Sequence, residues 1–158
     1  MSLEVNVNIL KGWPNPSVVE KSLAAASSVT LSQGDIAVMN SSGQWTKPAT
    51  TAITALPFII MVDSTDPSTN RGAHKSDYRQ VAYGAIHGIA FNNALEVETA
   101  NYKTTDTFVI GSELTAKNGQ LCLAASAETV IGTVTRAPYS MGNKTYLTFV
   151  PRDNRAKA

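Results

Sequence analysis

Apolar residues recur at every second position over much of this chain, and that period admits few folds. Near the start, Leu3, Val5, Val7 and Ile9 alternate with Glu4, Asn6 and Asn8. Successive side chains of a strand point to opposite faces, so this spacing predicts one buried and one wet face. The period returns over residues 80–91. There Val81, Tyr83, His87, Ile89 and Phe91 fall on one face, and Ala82, Gly84, Ile86, Gly88 and Ala90 on the other. The small residues of the second set predict close approach by another sheet or backbone.

Turn chemistry divides the chain into short strands. Val29-Thr30-Leu31 reads as a strand. Ile36-Ala37-Val38-Met39, Asn40-Ser41-Ser42-Gly43 and Gln44-Trp45 then read as strand, turn and returning strand. An apolar run over residues 53–62 contains Pro57, which predicts an edge strand or a bulge. Further strands are expected at 95–98, 107–110, 113–116, 120–124, 130–135 and 144–150. Residues 17–26 fit a capping box, but their neighbours all favour extended structure, with at most one or two helical turns. Gly34 to Trp45 has an echo at Gly111 to Leu121: a Gly, a strand, an Asn-containing turn, then Gly-Gln and an apolar residue. Each copy suits a hairpin at an equivalent place, through duplication or through convergent turn chemistry. The expected fold is all-β, a small β-barrel or β-sandwich with short hairpins. A single β domain over 18–150 is flanked by an extended N-terminal arm over 1–17 and a short basic tail over 151–158 that reads as mobile.

Composition excludes several classes. The 158 residues suffice for one core. Thirteen Lys and Arg oppose twelve Asp and Glu, a net charge of +1 that gives no footprint for nucleic acid. Charged residues make up 16%, against about 25% in an average globular protein, whereas 14 Ser and 17 Thr supply a hydroxyl-rich surface. No apolar run reaches the ~18 residues of a membrane span, and the first residues lack the pattern of a secretory signal. The one cysteine, Cys122, lies in Leu121-Cys122-Leu123-Ala124 and is expected to be a buried structural thiol.

The sequence offers little chemistry. His87 sits among the large residues of its strand and reads as a packed histidine. His74 lies in the polar loop 63–77 with Asp66, Arg71 and Lys75, where exposed contacts are expected. Neither has metal-ligand spacing, and no phosphate loop or nucleophile elbow is present, so no catalytic residue, cofactor or metal is expected. Two segments suit binding better. Trp13, Pro14 and Pro16 form an arm that either folds back on the domain or anchors a partner. Arg152 and Arg155 supply cations at the other end.

Several segments together resemble the small capsid decoration (cement) proteins of tailed bacteriophages. Val29 to Val38 followed by Gly43-Gln44-Trp45 looks like their opening. Arg79 to Ile86 looks like their central strand, Thr107 to Leu114 with Asn118-Gly119-Gln120-Leu121 like their second hairpin, and Ala127 to Val134 like the strand after it. The resemblance covers about residues 19–150. It implies a non-enzymatic β-body, made in the host cytoplasm, on the outer surface of an icosahedral head. Its partners would be the major capsid protein and itself, most often as a homotrimer, with a dimer possible. No nucleic acid or membrane partner is implied. The competing expectations are a tail or baseplate component, a carbohydrate-binding β-sandwich using an exposed Trp45, and a small hydrolase using His87 or His74.

Overall fold

The computed structural model describes residues 6–12, 18–49, 52–61 and 86–158, the last stretch without the side chains of 153–155. Among them are eleven strands and no helix: β1 (Val7–Lys11), β2 (Glu20–Leu23), β3 (Ile36–Met39), β4 (Trp45–Thr46), β5 (Phe58–Ile60), β6 (Ile86–Ala90), β7 (Glu96–Thr99), β8 (Glu113–Lys117), β9 (Gln120–Leu123), β10 (Thr129–Met141) and β11 (Lys144–Ala156). They form two antiparallel sheets. One has the order β2-β6-β5-β3-β4 and the other β1-β7-β11-β10-β8-β9. The chain is all-β, as the period of two predicts.

Apart from β1, the two sheets are the same unit built twice. β2, β3, β4, β5 and β6 correspond in order and neighbours to β7, β8, β9, β10 and β11. The register agrees too. Lys21 faces Gly88 as Val97 faces Phe149. Ala37 faces Phe58 as Leu114 faces Gly132. Met39 faces Trp45 as Ala116 faces Leu121, and Ile60 faces Gly88 as Val134 faces Phe149. Each sheet then curls until the segment after its first strand meets its outermost hairpin strand. In the first unit Ala25 bridges Trp45, whose N–H donates to Ala24 (2.9 Å) and whose carbonyl accepts from Ala26 (2.9 Å). In the second, Tyr102 bridges Leu121, whose N–H donates to Asn101 (3.3 Å) and whose carbonyl accepts from Lys103 (2.8 Å). The sequence echo is therefore the visible part of a repeat of about 75 residues, in which Trp45 answers to Leu121.

The inward faces are filled by different pieces. In the first unit Trp45, Phe58 and Ile60 share a cluster with Leu31, Ala37, Ile86 and Ala90. Gly88 makes room for the indole: a Cβ there would lie 2.8 Å from a Trp45 ring carbon. The close approach expected at the small-residue face is thus to a ring rather than to another backbone. In the second unit the large and small residues trade strands. Gly132 stands where the first unit has Phe58, and Phe149 where it has Gly88. A Cβ on Gly132 would lie 3.0 Å from the Phe149 ring. Either way one ring fills the space, as close packing demands.

The outward faces differ in chemistry. Ile36, Val38, Ile59 and Ile89 of the first unit are buried, and they form one continuous cluster with Leu114, Leu121, Val134 and Phe149 from the inward face of the second. The corresponding outward positions of the second unit are Glu113, Thr115, Thr133 and Val150. The first unit is thus buried on both faces of its sheet, and all five residues of β6 are buried.

A polar joint holds the units in register. The Asn101 side-chain amide donates to Gly34 C=O (3.0 Å), Asp35 Oδ1 (3.0 Å) and Gly119 C=O (2.9 Å). Ile36 N–H donates to Gly119 C=O (2.9 Å), and Lys47 Nζ lies 3.0 Å from Asp35 Oδ2.

Three expectations need correction. Pro57 marks neither an edge nor a bulge. It precedes β5, an inner strand, and its carbonyl accepts from Phe91 N–H (3.0 Å), so the missing donor falls just outside the ladder. Residues 29–31 and 107–110 are not strands; Val109 and Ile110 belong to a turn. The basic end is not a mobile tail. β11 runs to Ala156, which faces Thr129, and Lys157 N–H donates to Glu128 C=O (2.8 Å). Thirteen-residue partners in β10 and β11 bend through three register shifts, and that lets one hairpin span the sheet and pin the terminus.

Candidate functional site

Among the described residues three places carry chemistry or exposed apolar surface: the outer edge of each unit and one turn. At the edge of the first unit, β2 sets Glu20 and Ser22 on the same face as His87 of β6. Glu20 Oε1 lies 2.9 Å from His87 Nε2, and Ser22 Oγ lies 3.5 Å from His87 Nδ1. The imidazole is 3% exposed, as expected of a packed histidine, whereas Ser22 is exposed. Carboxylate, imidazole and hydroxyl in line are the groups of a nucleophile relay.

The corresponding edge of the second unit clarifies that arrangement. Ser22 and His87 answer to Glu98 and Thr148. There Glu98 accepts from Asn8 Nδ2 (2.9 Å) and from the Tyr139 hydroxyl, and Tyr139 lies 3.2 Å from Thr148 Oγ1. Burial, and then the Glu98 carboxylate, push the Tyr139 phenol above its ordinary range. The Arg136 guanidinium stacks 3.6 Å above the Tyr139 ring. In the first unit these positions tie the edge strand β2 to β6, and in the second Tyr139 of β10 links Glu98 of the inner strand β7 to Thr148 of β11, so both sets of polar side chains join strands of one sheet. That shared use is structural.

The turn is Val109-Ile110-Gly111-Ser112. Val109 N–H donates to Ser112 Oγ (3.0 Å) and Ser112 N–H to Val109 C=O (3.0 Å). Gly111 N–H donates to Val134 C=O (2.8 Å), and Val134 N–H to Ser112 C=O (2.9 Å). The first unit has the same four bonds. Ser32 N–H donates to Asp35 Oδ2 (2.9 Å), Asp35 N–H to Ser32 C=O (3.0 Å), Gly34 N–H to Ile60 C=O (2.7 Å) and Ile60 N–H to Asp35 C=O (2.9 Å). Gly34 and Gly111 sit at φ of 92° and 91°, a conformation that excludes most other residues. What differs is cover. Ile110 is 72% and Val109 59% exposed.

The residues singled out from sequence fare unevenly. Trp13, Pro14, Pro16, Asp66, Arg71, His74 and Lys75 lie outside the described residues. Arg152 is exposed on β11, and the Arg155 backbone pairs with Val130. Trp45, which the competing carbohydrate reading needs to be exposed, is fully buried, with its indole N–H on Ile86 C=O (2.8 Å). Cys122 is a free, buried thiol, and burial raises it above its ordinary range. Among the described residues no group of three or more His, Cys, Asp or Glu could hold a metal ion, and no helix is long and apolar enough to cross a membrane. Sequence reasoning missed Val109 and Ile110, which it read as the end of a strand. Aligning Gly111 with Gly34 would have revealed the turn. No family model, curated protein or solved structure matches this chain.

Proposed function

We propose that this chain is a non-enzymatic virion structural protein of the cement type. It binds the outer surface of an icosahedral phage head, bridges adjacent capsomers, and has the major capsid protein and itself as partners. The observation that supports this reading best is where the apolar surface lies. It sits on hydrogen-bonded turns and strand ends, led by Ile110 and Val109, on a body of two units sharing one core. A cement protein works by differential affinity: each bound copy favours the expanded shell by as much as it prefers that state. A body that changes little on binding loses little of that preference to ordering.

The test is quantitative mass spectrometry of purified particles. A copy number equal to that of the main shell protein, or a simple fraction of it, is expected. A handful of copies per particle points to the tail or baseplate, and absence ends the virion reading. The carbohydrate reading loses its platform with Trp45 buried. The hydrolase reading rests on Ser22, His87 and Glu20. Labelling of the wild type, but not of Ser22→Ala, by a fluorophosphonate probe would establish it against the structural role assigned here.

A further inference from the structure

The two units differ at one edge. In the second unit the outer edge of β7 is covered by β1, which runs antiparallel to it with Val7, Asn8 and Ile9 facing Thr99, Glu98 and Val97. The corresponding strand of the first unit, β2, ends its sheet. Burial follows the difference. Val97, Glu98 and Thr99 are buried, whereas Lys21 and Ser22, which answer to Val97 and Glu98, are exposed. The backbones of the two edges are turned the same way, because bonded and non-bonded pairs alternate along an antiparallel ladder. Ala100 N–H donates to Asn6 C=O (2.8 Å), so the next bonded pair is Glu98 with Asn8, and the main chain of Glu98 is turned toward β1. Ala90 N–H donates to Val19 C=O (2.8 Å), so the next bonded pair is Lys21 with Gly88, and the main chain of Ser22 is turned away from β6. Among the described residues no strand lies along that edge of β2.

We propose that the outer edge of β2 takes an extended segment of another protein as an added antiparallel strand, with a carboxylate facing Lys21 and a polar side chain facing Ser22. This pairing stands apart from the proposed virion role. The occupant is read from what the chain itself places on the equivalent edge. There Ile9 faces Val97, an apolar pair, and Asn8 Nδ2 donates to Glu98 Oε1 (2.9 Å). In the first unit Ser22 again offers a polar partner, but the position of Val97 is held by the exposed Lys21. A lysine on a strand edge discourages pairing with an apolar strand. Facing a carboxylate, the same lysine adds an opposite-charge cross-strand pair. The edge is therefore selective, and the β1 of a second copy, with Ile9 at that position, is the wrong strand for it. In such added strands the main-chain bonds give affinity and the facing side chains give specificity.

The experiment is an NMR titration of the full chain with three capped peptides that copy residues 6–11: one unchanged, one carrying Ile9→Glu and one carrying Ile9→Lys. In the free protein the Ser22 amide is expected to exchange rapidly with solvent. Protection there before any peptide is added means that the chain already covers this edge, and overturns the proposal. The Ile9→Glu peptide is expected to slow exchange at Ser22 and to bind about threefold more tightly than the unchanged peptide. The Lys21→Glu protein should reverse the order in favour of the Ile9→Lys peptide. A preference for the unchanged peptide assigns the edge to β1 of a second copy, and equal binding of all three removes the carboxylate; either overturns the proposal. No shift at Ser22 with millimolar peptide overturns the pairing itself. Ser22→Pro is the second variant. The N–H it lacks is the one turned away from β6, so unchanged circular dichroism is expected, while binding of the Ile9→Glu peptide falls about tenfold. Binding that survives in a folded Ser22→Pro protein overturns this edge as the site.

Discussion

The two units share strand order, register and closing bridge, yet the outward face of the first is buried and aliphatic while that of the second is mostly polar and, Thr115 apart, half-buried. The backbone does not make that difference. The outward-facing positions do: Ile36, Val38, Ile59 and Ile89 in the first unit, against Glu113, Thr115, Thr133 and Val150 in the second. Burying four aliphatic side chains is worth roughly 1.5–3 kcal/mol each, so the first unit gains by setting its outer face against the second. The polar outer face of the second stops the stacking after one step. A duplicated fold thus becomes a finite body through a handful of side chains on one face.

The comparison can be broken most severely at Trp45. Its replacement by Ala removes the largest fully buried side chain of the first unit and is expected to cost about 3–5 kcal/mol. Leu121→Ala at the corresponding place should cost somewhat less, about 2–5 kcal/mol. Denaturant unfolding of both variants measures the pair. Equal losses would mean that the two bridge positions are energetically interchangeable despite their difference in size.

The exchange of ring positions gives a sharper test. Gly88→Phe alone drives a ring into Trp45 and is expected to destabilise by about 2–3 kcal/mol. Combining it with Phe58→Gly and Trp45→Leu rebuilds in the first unit the set that the second uses. The triple variant should then be more stable than the sum of its parts by about 1 kcal/mol or more. Strict additivity in thermal melts would show that the interiors do not correspond as the register indicates.

A smaller effect is expected at the joint. The residue of the first unit that corresponds to Asn101 is Ala24, so Asn101→Ala makes the second unit resemble the first. It removes the donor to Gly34, Asp35 and Gly119 and should cost about 2 kcal/mol. Amide exchange should rise at Ile36, whose N–H bonds Gly119 C=O. Unchanged protection there would mean that the apolar cluster alone keeps the units together.

The smallest effect belongs to a contact found in the second unit. Lys117 pairs with Glu128; the hydrogen bond between them is the main cause that lowers the Glu128 carboxyl and raises the Lys117 ammonium from their ordinary values. A lowered carboxyl stabilises the fold above its unfolded-state value and loses that contribution as pH falls through its folded-state value. A raised ammonium loses its contribution as pH climbs through its own raised value. Glu128→Gln should therefore lower stability by about 0.5 kcal/mol at neutral pH, a modest figure because both groups are partly exposed. The difference from wild type should vanish in strong acid. Melting curves from acid to neutral pH give the profile, and a difference that persists in acid would assign the effect to something other than the charge.

Much of this was legible in the chain, because a period of two and Gly- or Asn-containing turns are local facts. Leu3 to Ile9, Ile36 to Trp45 and the residues around Gln120 announce strands and hairpins whatever surrounds them, and the echo between Gly34 and Gly111 announces the repeat. Local pattern gave no way to choose between inside and outside. Trp45 follows a polar turn and looks available for sugar, yet it is enclosed because its strand lies against residues 24–26, some twenty positions earlier. The last residues look like a charged tail, yet they pair with residues 129 and 130 because the long hairpin carries them there. Val109 and Ile110 look like core and stand in solvent. Strand identity is set by neighbours one and two positions away. Burial is set by which face a distant strand covers, and that is decided only when the two units meet.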